Sequence, residues 1–369
     1  MQAMKTLADY LAKLISFPTV SGDHAVTAEA YEWIKSEVAG LPLQVAEFES
    51  EGFRSLLLTT RNTKTPKLWL AAHIDVVPGI EELFTAARKE GKMYGRGAYD
   101  MKFAIAGYLC LLQEFGFRVG NFDIGVMITA DEELAGENGV GALLRAGYRS
   151  EVVFLPDGGR PDALVNFAKG KLDLSVSVRG QAAHASRLWE GESATHMLMD
   201  FLSDLRRAIN TYDRDDPEHF HRTLNVGKIY GGNASNSVAD YASAEVDIRF
   251  ISAEDEGEIR AALENTLALY PAVAQVELLS GPCFFADMGN PYIKQFVAIA
   301  EDVRGHSIGT AYDHGSSDAR FFSSVGIPTI LTRPLGGGLH TDNEWIDLAD
   351  LEVFYTILKT YVQQTGKRD

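Results

Sequence analysis

The stretch KLWLAAHID, residues 67–75, sets the architecture. Its first six residues read as an apolar strand, and the run stops on His73 and Asp75, two polar groups at a strand end. Downstream, residues 100–115 (DMKFAIAGYLCLLQEF) read as a long apolar helix opened by an acid, residues 123–129 (DIGVMIT) as a strand, EELAGENGVGALLRAG (132–147) as a helical segment and VVFL (152–155) as another strand. This β-α-β-α order predicts a mostly parallel sheet covered by helices. Upstream, Leu7, Tyr10, Leu11, Leu14 and Ile15 fall at helical spacing, so the amino-terminal stretch reads as an amphipathic helix on a core, not as a targeting segment.

The pattern changes after Gly170. LDLSVSV (172–178) alternates strictly, residues 194–205 carry Leu198, Leu202 and Leu205 at helical spacing, and strands follow at 224–230 and 245–250. Ile259, Leu263 and Leu267 mark a second helix, and residues 276–279 a last strand. The order β-α-β-β-α-β is the ferredoxin-like signature. The fold class expected is therefore α/β, with residues 1–170 and 282–369 forming one domain and residues 171–281 inserted into it. A helix near 291–303, a strand at 328–331 and a helix at 351–363 return to the first style.

Composition narrows the function. The 369 residues carry 34 Lys+Arg against 51 Asp+Glu, a formal net charge of −17, and 46% are hydrophobic. A chain this apolar can build a core. Its negative balance argues against a nucleic-acid groove and against docking on an anionic membrane. No apolar run approaches the ~20 residues of a membrane-spanning helix. Two cysteines, Cys110 and Cys283, are too few for a disulfide framework and read as reduced thiols of a cytoplasmic protein.

Four polar clusters follow the strands: His73 and Asp75, Glu132 and Glu133, Asp157, and His340. Open parallel sheets form their sites at the carboxyl ends of strands, and Asp100, at the start of the apolar helix, is placed to join them. Taken singly, each has an ordinary explanation: a strand-end histidine, a helix N-cap at Asp100, acids favouring the positive end of a helix at Glu132 and Glu133, a turn at Asp157, a surface histidine at His340. Five elements able to converge make that explanation poor. Histidines and carboxylates without cysteine suit zinc, manganese or cobalt. One bridging carboxylate would let such a set hold two ions about 3.5–4 Å apart, which can lower the pKa of a shared water, with an unligated carboxylate as its base.

HID (73–75), GRGAYDMK (95–102), TADEELAG (129–136), LPDGG (155–159) and LHTDNEWI (339–346) occur in the order and rough spacing of a dinuclear zinc hydrolase family, and the chain resembles that family over essentially its whole length. The family includes acetylornithine deacetylase, succinyl-diaminopimelate desuccinylase, aminoacylase, glutamate carboxypeptidase and several di- and tripeptidases. The resemblance implies a metal-dependent catalytic domain with an inserted lid and dimerisation domain, two divalent ions (zinc first, cobalt or manganese as alternatives) and a homodimer formed through the insert. It implies that His73, Asp100, Glu133, Asp157 and His340 are metal ligands with Asp100 bridging, that Asp75 steadies His73, and that Glu132 is the general base. His184, in RGQAAHAS, matches a histidine that stabilises the oxyanion in a neighbouring subunit's site. Asn236 and Arg249 match positions that hold a substrate carboxylate, and Ser316, Ser317 and Arg320, in HGSSDARF, match a substrate-side loop.

The function expected is hydrolysis of the amide bond of an N-acyl amino acid or short peptide by a metal-activated water. Asp157 stands where deacylases of the family usually carry Glu and where its aminopeptidases more often carry Asp. An exopeptidase is therefore the alternative within the class, and a catalytically silent small-molecule-binding protein is the alternative outside it.

Overall fold

The computed structural model describes residues 6–209 and 220–368. The first five residues of the amino-terminal stretch lie outside the described residues. The chain forms two compact units. One comprises the residues up to Phe167, Phe285–Asp313 and those from Ser317 on; the other comprises Ala168–Phe284 with His314–Ser316.

The first unit is built on a six-stranded sheet in the order Gln44–Ser50, Phe53–Thr59, Ile124–Thr129, Leu68–His73, Val152–Phe154, Thr329–Ile330. The last four are mutually parallel, and the first two form an antiparallel hairpin. The hairpin is absent from the sequence reading. Its two-residue turn places Glu51 at φ 47 and Gly52 at φ 85, the paired positive φ values of a turn that matches strand twist. Leu68–His73 and Ile124–Thr129 are buried throughout, as a parallel sheet covered by helices requires.

The helices pin to the sheet by polar tips as well as apolar faces. Tyr31, on the helix His24–Glu37, donates to the carbonyls of Arg54 and Ile128, and Tyr108, on the helix Lys102–Phe115, donates to that of Ala71 at 2.9 Å. The amphipathic stretch at the amino end is the helix Leu7–Ile15, closed by a reciprocal Thr6–Asp9 capping box and burying the five apolar residues expected of it. No helix among the described residues is long and apolar enough to cross a membrane.

One local expectation changes, and one ordinary explanation falls. Residues 132–147 are not one helix but a 3-10 turn (Glu132–Leu134), a π turn (Glu137–Gly141) and an α turn (Ala142–Arg145). The break lies at Ala135 and Gly136, both left-handed, with φ 83 and 67. The Asp131 carboxylate draws the chain back by accepting the N–H groups of Asn138 (2.7 Å) and Gly139 (2.9 Å). At Gly136 a Cβ would lie 1.9 Å from Asp318 Oδ1, so glycine is required by space as well as by conformation. Asp100 caps nothing: its helix begins at Lys102, and the cap position, Met101, makes no side-chain cap bond.

The second unit is a four-stranded antiparallel sheet in the order Thr223–Gly231, Tyr241–Phe250, Gly170–Arg179, Val273–Gly281. Numbered along the chain this is 2-3-1-4, the ferredoxin-like arrangement. Leu172, Leu174, Val176 and Val178 point inward with Val246, Ile248 and Phe250. They pack with the helices Ala194–Ile209 and Ala253–Leu269 through Leu198, Phe201, Ile259 and Leu263.

Candidate metal centre

Register brings three acidic or histidine elements to one sheet edge. His73 is the last residue of its strand and lies opposite Thr129 on the parallel neighbour. The chain therefore leaves both strands side by side, with Glu132 and Glu133 just beyond. Leu70 lies opposite Phe154, which carries the following residues, up to Asp157, along the same edge.

A small antiparallel sheet supplies the remaining two. Lys92–Tyr94 pairs with Trp345–Asp347, which pairs with Gly336–Gly337. Asp100 follows the first of these strands, and His340 sits in the turn between the other two. His340 has φ 59, a conformation costing of order 1 kcal/mol for a non-glycine residue and found at constrained sites.

The side chains meet in two groups that share one residue. His73 Nε2 lies 3.3 Å from Asp100 Oδ1 and 3.9 Å from Asp157 Oδ1. His340 Nε2 lies 3.2 Å from Asp100 Oδ2 and 3.3 Å from Glu133 Oε2. The ligand atoms of His73, Asp100 and Asp157 lie within 4.8 Å of one another, and so do those of Asp100, Glu133 and His340. The two oxygens of Asp100 thus face different histidines.

The fit to cations is visible in His73. Its Nδ1 lies 2.9 Å from the backbone oxygen of Asp75. A carbonyl only accepts, so in the neutral ring Nδ1 carries the proton and Nε2 presents a lone pair. That Nε2 is buried and has no hydrogen-bond partner. An orphaned imidazole lone pair facing two carboxylates is the donor set of a divalent ion.

Electrostatics agree. Burial depresses the His73 imidazolium, but Asp100, Asp157 and Asp75 more than offset it and hold its pKa well above the usual value. Asp100 and Glu133 lift His340 to about 10. Burial works to raise the Asp100 carboxyl, yet the two histidines that face its oxygens, His340 and His73, hold it below the usual range. Burial and then the neighbouring Asp157 push Glu132 well above it, and burial pushes Asp157 up to about 6.

The Asp75 carboxylate does more than face His73. It accepts from the backbone N–H of Glu132 (3.3 Å) and of Glu133 (3.2 Å) and from the Ser21 hydroxyl (2.8 Å), so it fixes the turn that carries both glutamates.

Glu344 went unnoticed in the sequence although it lies four residues after His340. It is buried and accepts from the N–H groups of Gly97 (3.0 Å), Tyr99 (2.8 Å) and Asp100 (3.0 Å) and from Arg96 (3.0 Å). One carboxylate thereby ties the loop of Asp100 to the loop of His340. Glu344→Gln should lower stability by about 3–5 kcal/mol, because it leaves Arg96 a buried unpaired charge. Thermal melting checks this; an unchanged melting temperature contradicts it. Lys102 is a second buried ion of the same motif. Burial draws its amine down to about 7, and it donates to the Phe17 carbonyl at 2.8 Å.

The other sequence candidates divide between the units. In the first unit Ser317 is buried, and Arg320 is committed to the carbonyls of Ser317 (3.1 Å) and Ala135, bracing the left-handed break after Glu133. In the second unit His184 and Asn236 are exposed on adjoining loops, with the Ala185 N–H donating to the Asn236 carbonyl at 3.0 Å. The Ser186 N–H donates to His184 Nδ1 at 3.2 Å, so in the neutral ring Nε2 is the free donor. Arg249 forms a fork with Asp247, at 2.8 and 2.9 Å. Ser316 belongs to the short piece 314–316 of the second unit.

Histidines and carboxylates gathered at the carboxyl edge of a parallel sheet are the donor set of a divalent-ion site, and with the family match they make the chain a metal-dependent amide hydrolase. Residues 69–364 match Peptidase family M20/M25/M40, and the chain belongs to that family. It is 26% identical to acetylornithine deacetylase of Proteus mirabilis over 95% of this chain and 94% of that protein. It is 28% identical to succinyl-diaminopimelate desuccinylase of Caulobacter vibrioides over 80% of each. Its fold is similar to that of the M20 metallo-carboxypeptidase Sso-CP2 from Sulfolobus solfataricus (TM-score 0.79, 17% identity, 98% of this chain and 99% of the other). It is similar also to that of aminopeptidase PepT from Bacillus cereus (TM-score 0.76, 21% identity, 97% and 98%).

Proposed function

We propose that this hydrolase cleaves the amide bond of an N-acyl amino acid or a short peptide bearing a carboxylate near the scissile bond. His73, Asp100, Glu133, Asp157 and His340 hold two divalent ions, zinc first and cobalt or manganese as alternatives. The observation that carries this reading is Asp100, whose oxygens address two histidine–carboxylate groups at once. Bound there, such ions polarise a carbonyl and lower the pKa of water.

The chain's own groups do the rest. Asp75 holds the two glutamates in register, and its backbone oxygen fixes the His73 tautomer. Glu132, half-buried beside both histidine–carboxylate groups and a member of neither, is the carboxylate left to accept a proton from the attacking water and deliver it to the departing amine. His184 Nε2 supplies a donor to the developing oxyanion, in a homodimer formed through the inserted unit. Asn236, Arg249, Ser316, Ser317 and Arg320 are the substrate-side candidates. The Asp247 fork that already holds Arg249 and the two carbonyls that hold Arg320 favour the exposed Asn236 among them.

The two curated relatives favour a deacylase, while Asp157 favours an exopeptidase as the second reading. Assays on matched amides with free and with blocked amino termini decide between them. Hydrolysis confined to free amino termini supports the exopeptidase; hydrolysis of blocked ones supports the deacylase. No hydrolysis of either by the metal-loaded protein contradicts both.

Ion uptake should be proton-linked. His340, with its pKa raised to about 10, is protonated at pH 7 in the ion-free protein and must lose that proton to bind. Apparent affinity should therefore rise as pH rises toward about 10, with at least one proton released per protein at pH 7. Calorimetric titration in buffers of different ionisation enthalpy measures the release; none at pH 7 contradicts the ligand assignment.

A further inference from the structure

Arg333 is an arginine of the catalytic unit to which the described residues give no hydrogen-bonding or ion-pairing partner. It lies just past the edge strand Thr329–Ile330 and is half-buried. Its guanidinium stacks on the Tyr99 ring, 4.4 Å from the centroid, and its buried Nε has no hydrogen-bond partner. Among the described residues no carboxylate or carbonyl hydrogen-bonds to it or forms a close ion pair with it, although the Asp100 and Asp157 carboxylates lie near enough to feel its charge. The unit's buried arginines are engaged, Arg96 with Glu344 and Arg320 with two carbonyls, and the half-buried Arg304 pairs with Asp350. Stacking holds the plane of a guanidinium but satisfies none of its five N–H donors, and leaving buried donors unmet is costly.

Its position is built. Tyr99 immediately precedes Asp100, and its ring is pressed against Gly336, where a Cβ would fall 2.1 Å from Tyr99 Cδ2. Glycine is therefore needed there for the ring to lie under Arg333. On the other side, Thr332 packs on Gly159, whose Cβ would meet Thr332 Cα at 3.3 Å, and the Thr332 hydroxyl donates to the Arg160 carbonyl at 3.0 Å. Arg333 is thus fixed between the loop ending in Asp100 and the loop that follows Asp157, beside the group formed by His73, Asp100 and Asp157.

We propose that Arg333 is a specificity-determining residue that receives a carboxylate of the substrate beside the metal centre. A planar fork with free donors, fixed at the rim of an ion site, matches a carboxylate in geometry and charge. The inference rests on the amide-hydrolase reading and deepens it, because it places the anion reader in the catalytic unit rather than at Arg249, whose fork is filled by Asp247.

The test compares wild type, Arg333→Gln and Arg333→Lys, each loaded with zinc. The probes are an N-acetyl amino acid and its carboxamide, which differ only in the charge. Binding is read by calorimetry and turnover as KM and kcat. Wild type should prefer the carboxylate, and Arg333→Gln should weaken its binding and raise its KM roughly 10- to 100-fold, with little change for the carboxamide. Arg333→Lys keeps a cation but not the fork, and should give an intermediate preference; it also serves if the glutamine variant does not fold. A merely structural role would weaken both probes alike. Equal losses on the two probes, or a preference unchanged in either variant, overturn the proposal. If the wild type binds the carboxylate but turns over no amide, the hydrolase reading fails while the binding comparison still decides the role of Arg333.

Discussion

Glu132→Gln should lower kcat by roughly 10²–10⁴ and leave ion content unchanged. The expectation follows from what Glu132 does not do. It belongs to neither histidine–carboxylate group, and its backbone is held by Asp75 whatever its side chain becomes. Glutamine keeps the volume and loses the ability to take a proton. Burial and the neighbouring Asp157 already disfavour the charge, so neutralising it relieves repulsion and should leave the melting temperature equal or higher. A loss of rate with retained stability and retained ions is the signature of a base. Unchanged hydrolysis would refute the role.

Asp100→Ala should abolish high-affinity binding of both ions, whereas His340→Ala should disturb only one. Asp100 belongs to both groups, while His340 belongs to the group with Glu133. Removing Asp100 also takes away the anion facing each histidine, so the loss should exceed the roughly 10–100-fold typical of an outer partner. Metal analysis after dialysis reads the pattern: none retained by the first variant, one by the second. An ion retained by Asp100→Ala as well would mean that the two groups do not share Asp100.

Much of this centre was legible because strand ends are legible. His73, Glu133 and Asp157 each follow a short apolar run, and parallel strands must end together, so their convergence follows from the alternation of strand and helix. Asp100 and His340 were harder. They are joined by a three-residue strand, Trp345–Asp347, and a two-residue one, Gly336–Gly337, too short to leave a periodic signal. The clamp between them, Glu344, looks like any surface acid until four donors converge on it. The hairpin at 44–59 was missed for a related reason: Gln44–Ser50 is mostly exposed, so it shows little burial pattern. Residues 132–147 look helical by composition, but the Asp131 bonds to Asn138 and Gly139 break the helix, and no periodicity encodes a side chain that captures backbone seven and eight residues on. Arg333 carried no signal at all, because its meaning lies in the absence of a partner, which only coordinates can show.

The proposed chemistry requires Asp100 to join two ion sites. Diffraction from crystals grown with zinc, recorded on both sides of the zinc absorption edge, tests it directly. The expected result is two anomalous peaks about 3.5–4 Å apart, one beside His73 and Asp157 and the other beside Glu133 and His340, with Asp100 between them. A fully active crystal form showing one peak, or peaks that leave Asp100 unligated, would contradict it.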